Sequence, residues 1–417
     1  MKRSLVAGLP GVVETVVAMA ATVALVALIS PEPGPLVLGA VLAMILARSK
    51  LVDTWRGRLE SLIVLPILAL ATSGVAVLFA IMPVVGAVAF TAGLFLSVWL
   101  RRFGPTWRRI GALIALPFVT LLIAPVHLGA GAAPLAALVS VVALAVVVAV
   151  RLLGGLVWKR SVAAPEQSLP PGTLRPSAST RMALQLAASL AVAFVLGFWL
   201  FPDHWGWVVL TAYLVQSANR GRADVVYKSG LRILGAVAGT VLALLLAGVR
   251  LEGPPLVLVL LVSLAVGLFL RGISYAFWAL VVTLVLTLLQ GGSVDLWPRV
   301  LAILVGAVCG MLASWFILPI RSEGVLRRRI ALVLSELGSH PSLGAVEEVA
   351  PPFVLLARLP FAPHRWRRAG EWVGLIREIA GREVPSSAGP AVAAARRAMR
   401  EPEAITPALR ALLAALD

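Results

Sequence analysis

The sequence predicts an all-α integral membrane protein. It would have about twelve transmembrane helices, arranged as two parallel six-helix repeats, followed by a small cytoplasmic helical C-terminal domain. Three observations predict this. Of 417 residues, 60% are hydrophobic and 13% charged, with mean hydropathy +0.99, whereas a soluble domain is about half apolar and roughly a quarter charged. Apolar runs near the ~20 residues needed to cross a ~30 Å hydrocarbon core recur along the chain. Basic residues gather in every second connection between those runs.

In the first half, 1–160, the spans read near 11–30, 35–48, 60–81, 83–100, 110–126 and 134–151. Lys2 and Arg3 precede the first. Glu14 and the short stretch before Ala18-Met19-Ala20 favour an uncleaved helix over a signal peptide. The third and fourth spans are separated at Met82-Pro83 and by total length, a single proline-kinked helix being the alternative. The segment 161–180 carries Pro165, Pro170, Pro171 and Pro176 and reads as a cytoplasmic linker. In the second half, 181–320, spans fall near 181–201, 205–217, 231–248, 254–270, 273–290 and 299–320. From 321 to 417 the chain turns basic and proline-broken, as expected of short amphipathic helices.

The connections at 48–59, 101–109 and 218–232 are basic, whereas those at 31–34, 82–83, 127–133 and 202–204 carry no Lys or Arg. Arg250 and Arg299 are lone exceptions. This alternation places both termini on the cytoplasmic side of the cytoplasmic (inner) membrane. The net charge of +17 is then a topology signal, so nucleic acid is not an expected partner. Cys309 is the only cysteine and the four histidines are scattered, which leaves neither a disulfide nor a metal site, and no cofactor is expected.

Pro31 and Pro202, and Asp53 and Asp224, are each separated by 171 positions. Six helices per half is an even number, so the halves would be related by an axis along the membrane normal. Short apolar runs at matching places, Leu36–Ala47 and Trp207–Ala218, mark a candidate transport path. Ordinary short helices shielded by their neighbours would look the same.

The densest polar and aromatic cluster is His204–Ser217, in which Trp207, Thr211, Tyr213 and Gln216 are the substrate-path candidates. For Trp205 and Trp207 an interfacial aromatic belt is the preferred reading. Downstream, Gly235 and Gly239 form a GxxxG pair, and Gly306 and Gly310 repeat it, a spacing that lets helices approach closely. Arg232 is expected at a cytoplasmic helix start, where with Arg220, Arg222 and Lys228 it would draw anions to the mouth of the path.

Trp207, Thr211, Gln216-Ser217, then Arg232, Gly235 and Gly239 resemble the motif of the fusaric-acid-resistance and aromatic acid exporter family, to which plant aluminium-activated malate channels are related. Ala236 and Ser217 depart from that pattern, where the family usually has Thr and Pro. The resemblance covers roughly 181–320 and implies export of small organic anions, aromatic carboxylates first, along a path between the two halves. Expected partners are those anions and the lipid bilayer, with an accessory efflux subunit or further copies of the chain as candidates. A passive anion channel is the second reading, because few carboxylates fall at membrane depth. A scaffold without transport is the third. No ATP-binding loop, HExxH or G-x-S-x-G motif supports an enzyme.

Overall fold

A computed structural model describes residues 2–49, 53–123, 133–157, 177–217, 219–247, 253–289, 296–337, 343–382 and 385–416. All but residues 177–180 of the expected linker, with His127, Arg250, Glu252 and Asp295, lie outside them. Among the described residues the regular elements are helices. In chain order they are α1 (Lys2–Ile29), α2 (Pro33–Arg48), α3 (Trp55–Ile81), α4 (Pro83–Trp99), α5 (Pro105–Ile123) and α6 (Ala133–Val157). Then follow α7 (Ala178–Leu200), α8 (Trp205–Gln216), α9 (Arg222–Ala247), α10 (Pro254–Leu270), α11 (Tyr275–Leu289) and α12 (Leu296–Phe316). The C-terminal helices are α13 (Ser322–Glu336), α14 (Gly344–Glu347), α15 (Pro351–Leu356), α16 (His364–Ala380), α17 (Gly389–Ala398) and α18 (Ile405–Ala414).

Among the described residues, seven helices are long and apolar enough to cross a membrane, namely α1, α3, α4 (with the 3-10 turn after it), α6, α7, α9 and α12. Those of α2, α10 and α11 are apolar but shorter. Helix α8 has twelve residues, a rise of about 18 Å at 1.5 Å per residue. Residues Trp207–Ala212, Val215 and Gln216 on it are buried, so protein surrounds it.

Met82 breaks α3 from α4 with non-helical dihedrals, φ −138 and ψ 81, because Pro83 after it disfavours a helical residue there. Pro10, Pro66 and Pro117 sit inside helices without ending them.

Helix α9 differs most from expectation. It begins at Arg222, within a segment read as a basic loop, so Arg232 lies ten residues inside the helix and not at its start. The reason is capping that a charge pattern does not reveal. Gly221 takes φ +116, a left-handed conformation that only glycine adopts without cost. The next amides are then satisfied in order, Arg222 N–H by the Ile320 carbonyl at 3.2 Å and Ala223 N–H by the Ser322 hydroxyl at 3.0 Å. Asp224 in the first turn accepts from the Arg220 amide at 3.1 Å, a favourable place for negative charge.

The chain forms two compact units, residues 1–217 with 231–313, and residues 218–230 with 314–417. In the first, α4 packs on α7 and, reciprocally, α10 packs on α1. Phe79, Phe90, Phe194 and Trp205 fill the α4–α7 seam, with ring centroids 5.3 to 6.1 Å apart. Glu14 on α1 is buried, and a Cβ on Gly154 of α6 would strike its carboxylate. In the second unit Ala223, Leu326, Ile330, Phe353, Trp372 and Leu412 share one apolar core. The Trp372 indole N–H in it donates to the Thr406 hydroxyl at 3.0 Å.

Candidate functional site

Helix α8 lies close against α12 because α12 presents glycine to it. A Cβ at Gly306 would collide with the Val208 carbonyl oxygen and come within 3.0 Å of the Thr211 Cβ. A Cβ at Gly310 would come within 2.9 Å of a Val215 methyl. Gln216 closes the contact, its side-chain amide donating to the Gly310 carbonyl at 2.7 Å. Helices α9 and α11 use the same device. Cβ atoms on Gly235 and Gly239 would strike the carbonyl oxygens of Ala276 and Leu280, and the latter would lie 3.0 Å from the Thr283 Cβ.

Two arginines, both fully buried, join these pairs. Arg232 on α9 donates through Nη1 to the Ala279 carbonyl and to the Thr283 hydroxyl, both at 3.2 Å. Arg299 on α12 donates through Nη1 to the Thr287 hydroxyl at 2.6 Å, and its guanidinium lies 5.0 Å from the centroid of the Trp207 ring. The two threonines are one turn apart on α11. Each gives its own hydrogen to a backbone carbonyl, Thr283 to Ala279 at 2.9 Å and Thr287 to Thr283 at 2.8 Å. Their oxygens are therefore acceptors toward the arginines. The Nε and Nη2 atoms of Arg232 are buried and have no hydrogen-bond partner among the described residues, and the same holds for the hydroxyls of Thr211 and Thr240.

Trp207, Thr211 and Gln216 thus meet at the α8–α12 contact. Trp207 is 4% exposed, which corrects the expectation of an interfacial belt. Tyr213 is half-buried in an apolar cluster and has no hydrogen bond to either arginine. The basic residues expected to share a mouth with Arg232 belong to the other unit and are engaged there. Lys228 pairs with Asp224 at 2.8 Å, the Arg220 guanidinium binds the carboxylate and carbonyl of Glu348, and Arg222 donates to the Trp315 carbonyl at 2.8 Å. Within the first unit Arg232, Arg299, Thr211, Thr283 and Thr287 gather among α8, α9, α11 and α12, while the α4–α7 seam is filled by aromatic rings.

Sequence reasoning missed Thr283, Thr287 and Arg299. The signal was present in two forms, threonines at i, i+4 in an otherwise apolar run and the lone arginine that broke the charge alternation.

Long apolar helices around a buried cluster of arginine and hydroxyl side chains define a multi-pass membrane protein. The segment that holds the whole cluster, residues 187–313, matches the family described as fusaric acid resistance protein-like, a family of membrane transporters. No curated protein and no solved structure matches the chain.

Proposed function

We propose that the protein exports small organic anions across the cytoplasmic membrane, with both termini in the cytoplasm and carboxylates as the substrate class. The path runs among α8, α9, α11 and α12. One observation carries this reading, the buried Nε–Nη2 edge of Arg232 that no described protein group satisfies. A guanidinium presents this edge as a planar fork that matches a carboxylate. The same chain shows the fit elsewhere, where Arg377 holds the two oxygens of Glu347 through Nε and Nη2, each at 2.7 Å. A buried charge without a counterion costs several kcal/mol, and an anion on that edge offsets the cost. The preference for aromatic carboxylates comes from the family resemblance.

The test is uptake of radiolabelled benzoate into proteoliposomes. Arg232→Gln should weaken apparent affinity at least ~10-fold, and Arg232→Lys should recover part of it while losing the bidentate contact. Wild-type transport by Arg232→Gln, at normal protein levels, overturns the reading. A passive anion channel is the second reading, favoured by one observation. Between Asp224 and Asp295 the only acidic residue is Glu252, so few groups there can carry a proton. Uphill benzoate accumulation driven by a pH gradient decides against the channel.

A further inference from the structure

Two helices begin at one place in the C-terminal unit. Helix α9 starts at Arg222 and α13 at Ser322, and the Ser322 hydroxyl accepts from the Ala223 amide. The chain arrives there from the end of α12 through Leu318, whose φ of +42 is uncommon for a residue other than glycine. Of the helices long and apolar enough to cross a membrane, α9 and α12 each have an end at this junction. Chain connectivity alone therefore puts it at a membrane boundary.

The charges at the junction do not balance. Arg321 and Arg365 both repel the Arg222 guanidinium, and Glu323 is the carboxylate that attracts it. Glu323 is already paired, its Oε1 lying 3.4 Å from the Arg365 Nε. Three cations thus share one carboxylate among the described residues. The Arg321 side chain is exposed, with neither a hydrogen bond nor an ion pair there. Arg222 donates through Nη2 to the Trp315 carbonyl at 2.8 Å, and its guanidinium lies 5.5 Å from the centroid of the Trp315 ring. Its Nε is buried and has no hydrogen-bond partner among the described residues. The starts of two helices add the positive ends of their dipoles.

Beside these charges the surface is apolar. Phe316 is 79% exposed, and Leu318 and Trp315 are about two-fifths exposed. A soluble anion would use the arginines alone. A phospholipid uses both features, since its phosphodiester matches guanidinium donors and its acyl chains match Phe316 and Leu318.

We propose that this junction binds the headgroup of an anionic phospholipid of the surrounding bilayer. Arg321 and Arg365 hold the phosphodiester, and Arg222, fixed by Trp315, adds its charge. Phe316 and Leu318 lie against the acyl chains. Glu323 keeps Arg365 in position without cancelling the excess of positive charge. The site is independent of the export reading, because none of its residues belongs to the buried cluster around Arg232.

The probe is phosphatidylglycerol with a fluorescent acyl chain, titrated into purified full-length protein in a neutral detergent. Wild-type protein should bind it, and unlabelled phosphatidylglycerol should displace it far better than phosphatidylcholine. Each basic residue near an anionic lipid surface contributes about fivefold in affinity, so Arg321→Gln with Arg365→Gln should weaken binding at least ~10-fold. Arg396→Gln with Arg397→Gln removes the same charge from exposed positions on α17 and should leave the affinity unchanged. If the first pair does not accumulate as folded protein, Arg321→Gln alone is read, since that side chain has no partner to lose; affinity should then fall about fivefold. Wild-type affinity in whichever variant folds overturns the site. So does an equal loss in the α17 pair, which would reduce the effect to net charge. Equal displacement by phosphatidylcholine, or by inorganic phosphate at matched ionic strength, overturns the assignment to an anionic lipid.

Discussion

Arg232 donates to the hydroxyl of Thr283 at 3.2 Å, and that hydroxyl donates in turn to the Ala279 carbonyl at 2.9 Å. The threonine therefore keeps a buried cation in place without neutralising it. Thr283→Val preserves shape and removes the acceptor. Leaving a charged donor unsatisfied in the interior costs about 1–3 kcal/mol. The variant should lower the thermal midpoint and weaken benzoate binding together, in thermal unfolding and equilibrium binding. Unchanged values for both would show that Arg232 is held by backbone alone.

Glycines in this protein divide by what a side chain would meet. At Gly239 and Gly306 a Cβ would collide with a carbonyl oxygen of the facing helix, whereas at Gly230 it meets nothing within 4 Å. Gly239→Ala and Gly306→Ala should each destabilise by about 1–3 kcal/mol, the usual cost of overpacking. Gly230→Ala should be neutral or stabilising by up to ~1 kcal/mol, because it lowers the backbone entropy of the unfolded helix. Thermal unfolding of the three variants in one detergent tests the contrast.

The Glu347–Arg377 pair gives the C-terminal unit an acid limit. The hydrogen bond from Arg377 holds the Glu347 carboxyl below its usual range, and the same bond raises the Arg377 guanidinium. A depressed carboxyl contributes stability that is fully present above its unfolded value of about 4.3 and is lost as pH falls through the lower folded value. The raised arginine stays charged throughout that window. Both groups are more than 40% exposed, so the effect should stay within about 1 kcal/mol. Glu347→Gln should remove that part of the acid sensitivity below about pH 4.3. Comparison of midpoints at pH 7 and pH 3.5 checks it.

Topology is tested by labelling. Cysteines placed at Gly131 and Ser168, in a Cys309→Ser background, should react with an impermeant maleimide from opposite faces of the membrane. Reaction of both from the same face would overturn the helix count.

Much of the helical layout was legible because hydropathy and proline act locally. Pro83 starts α4 and the Pro202 turn precedes α8, as the sequence indicates. The start of α9 was not legible. Its cap is assembled from Ile320 and Ser322, some hundred residues away in the chain, so the local charge run resembled a loop.

By itself the sequence determined that this chain is membrane-embedded and helical, since transfer free energy and backbone satisfaction in lipid depend on composition along a single run. It also identified Arg232, Thr211, Gln216 and the two GxxxG pairs. Only the tertiary structure decided what surrounds them. It withdrew Arg232 from a helix end into the interior, turned Trp207 from lipid to the face of Arg299, and joined both arginines through Thr283 and Thr287. The physical reason is that a buried polar group is defined by its partners, and those partners come from four helices whose mutual approach no single segment encodes.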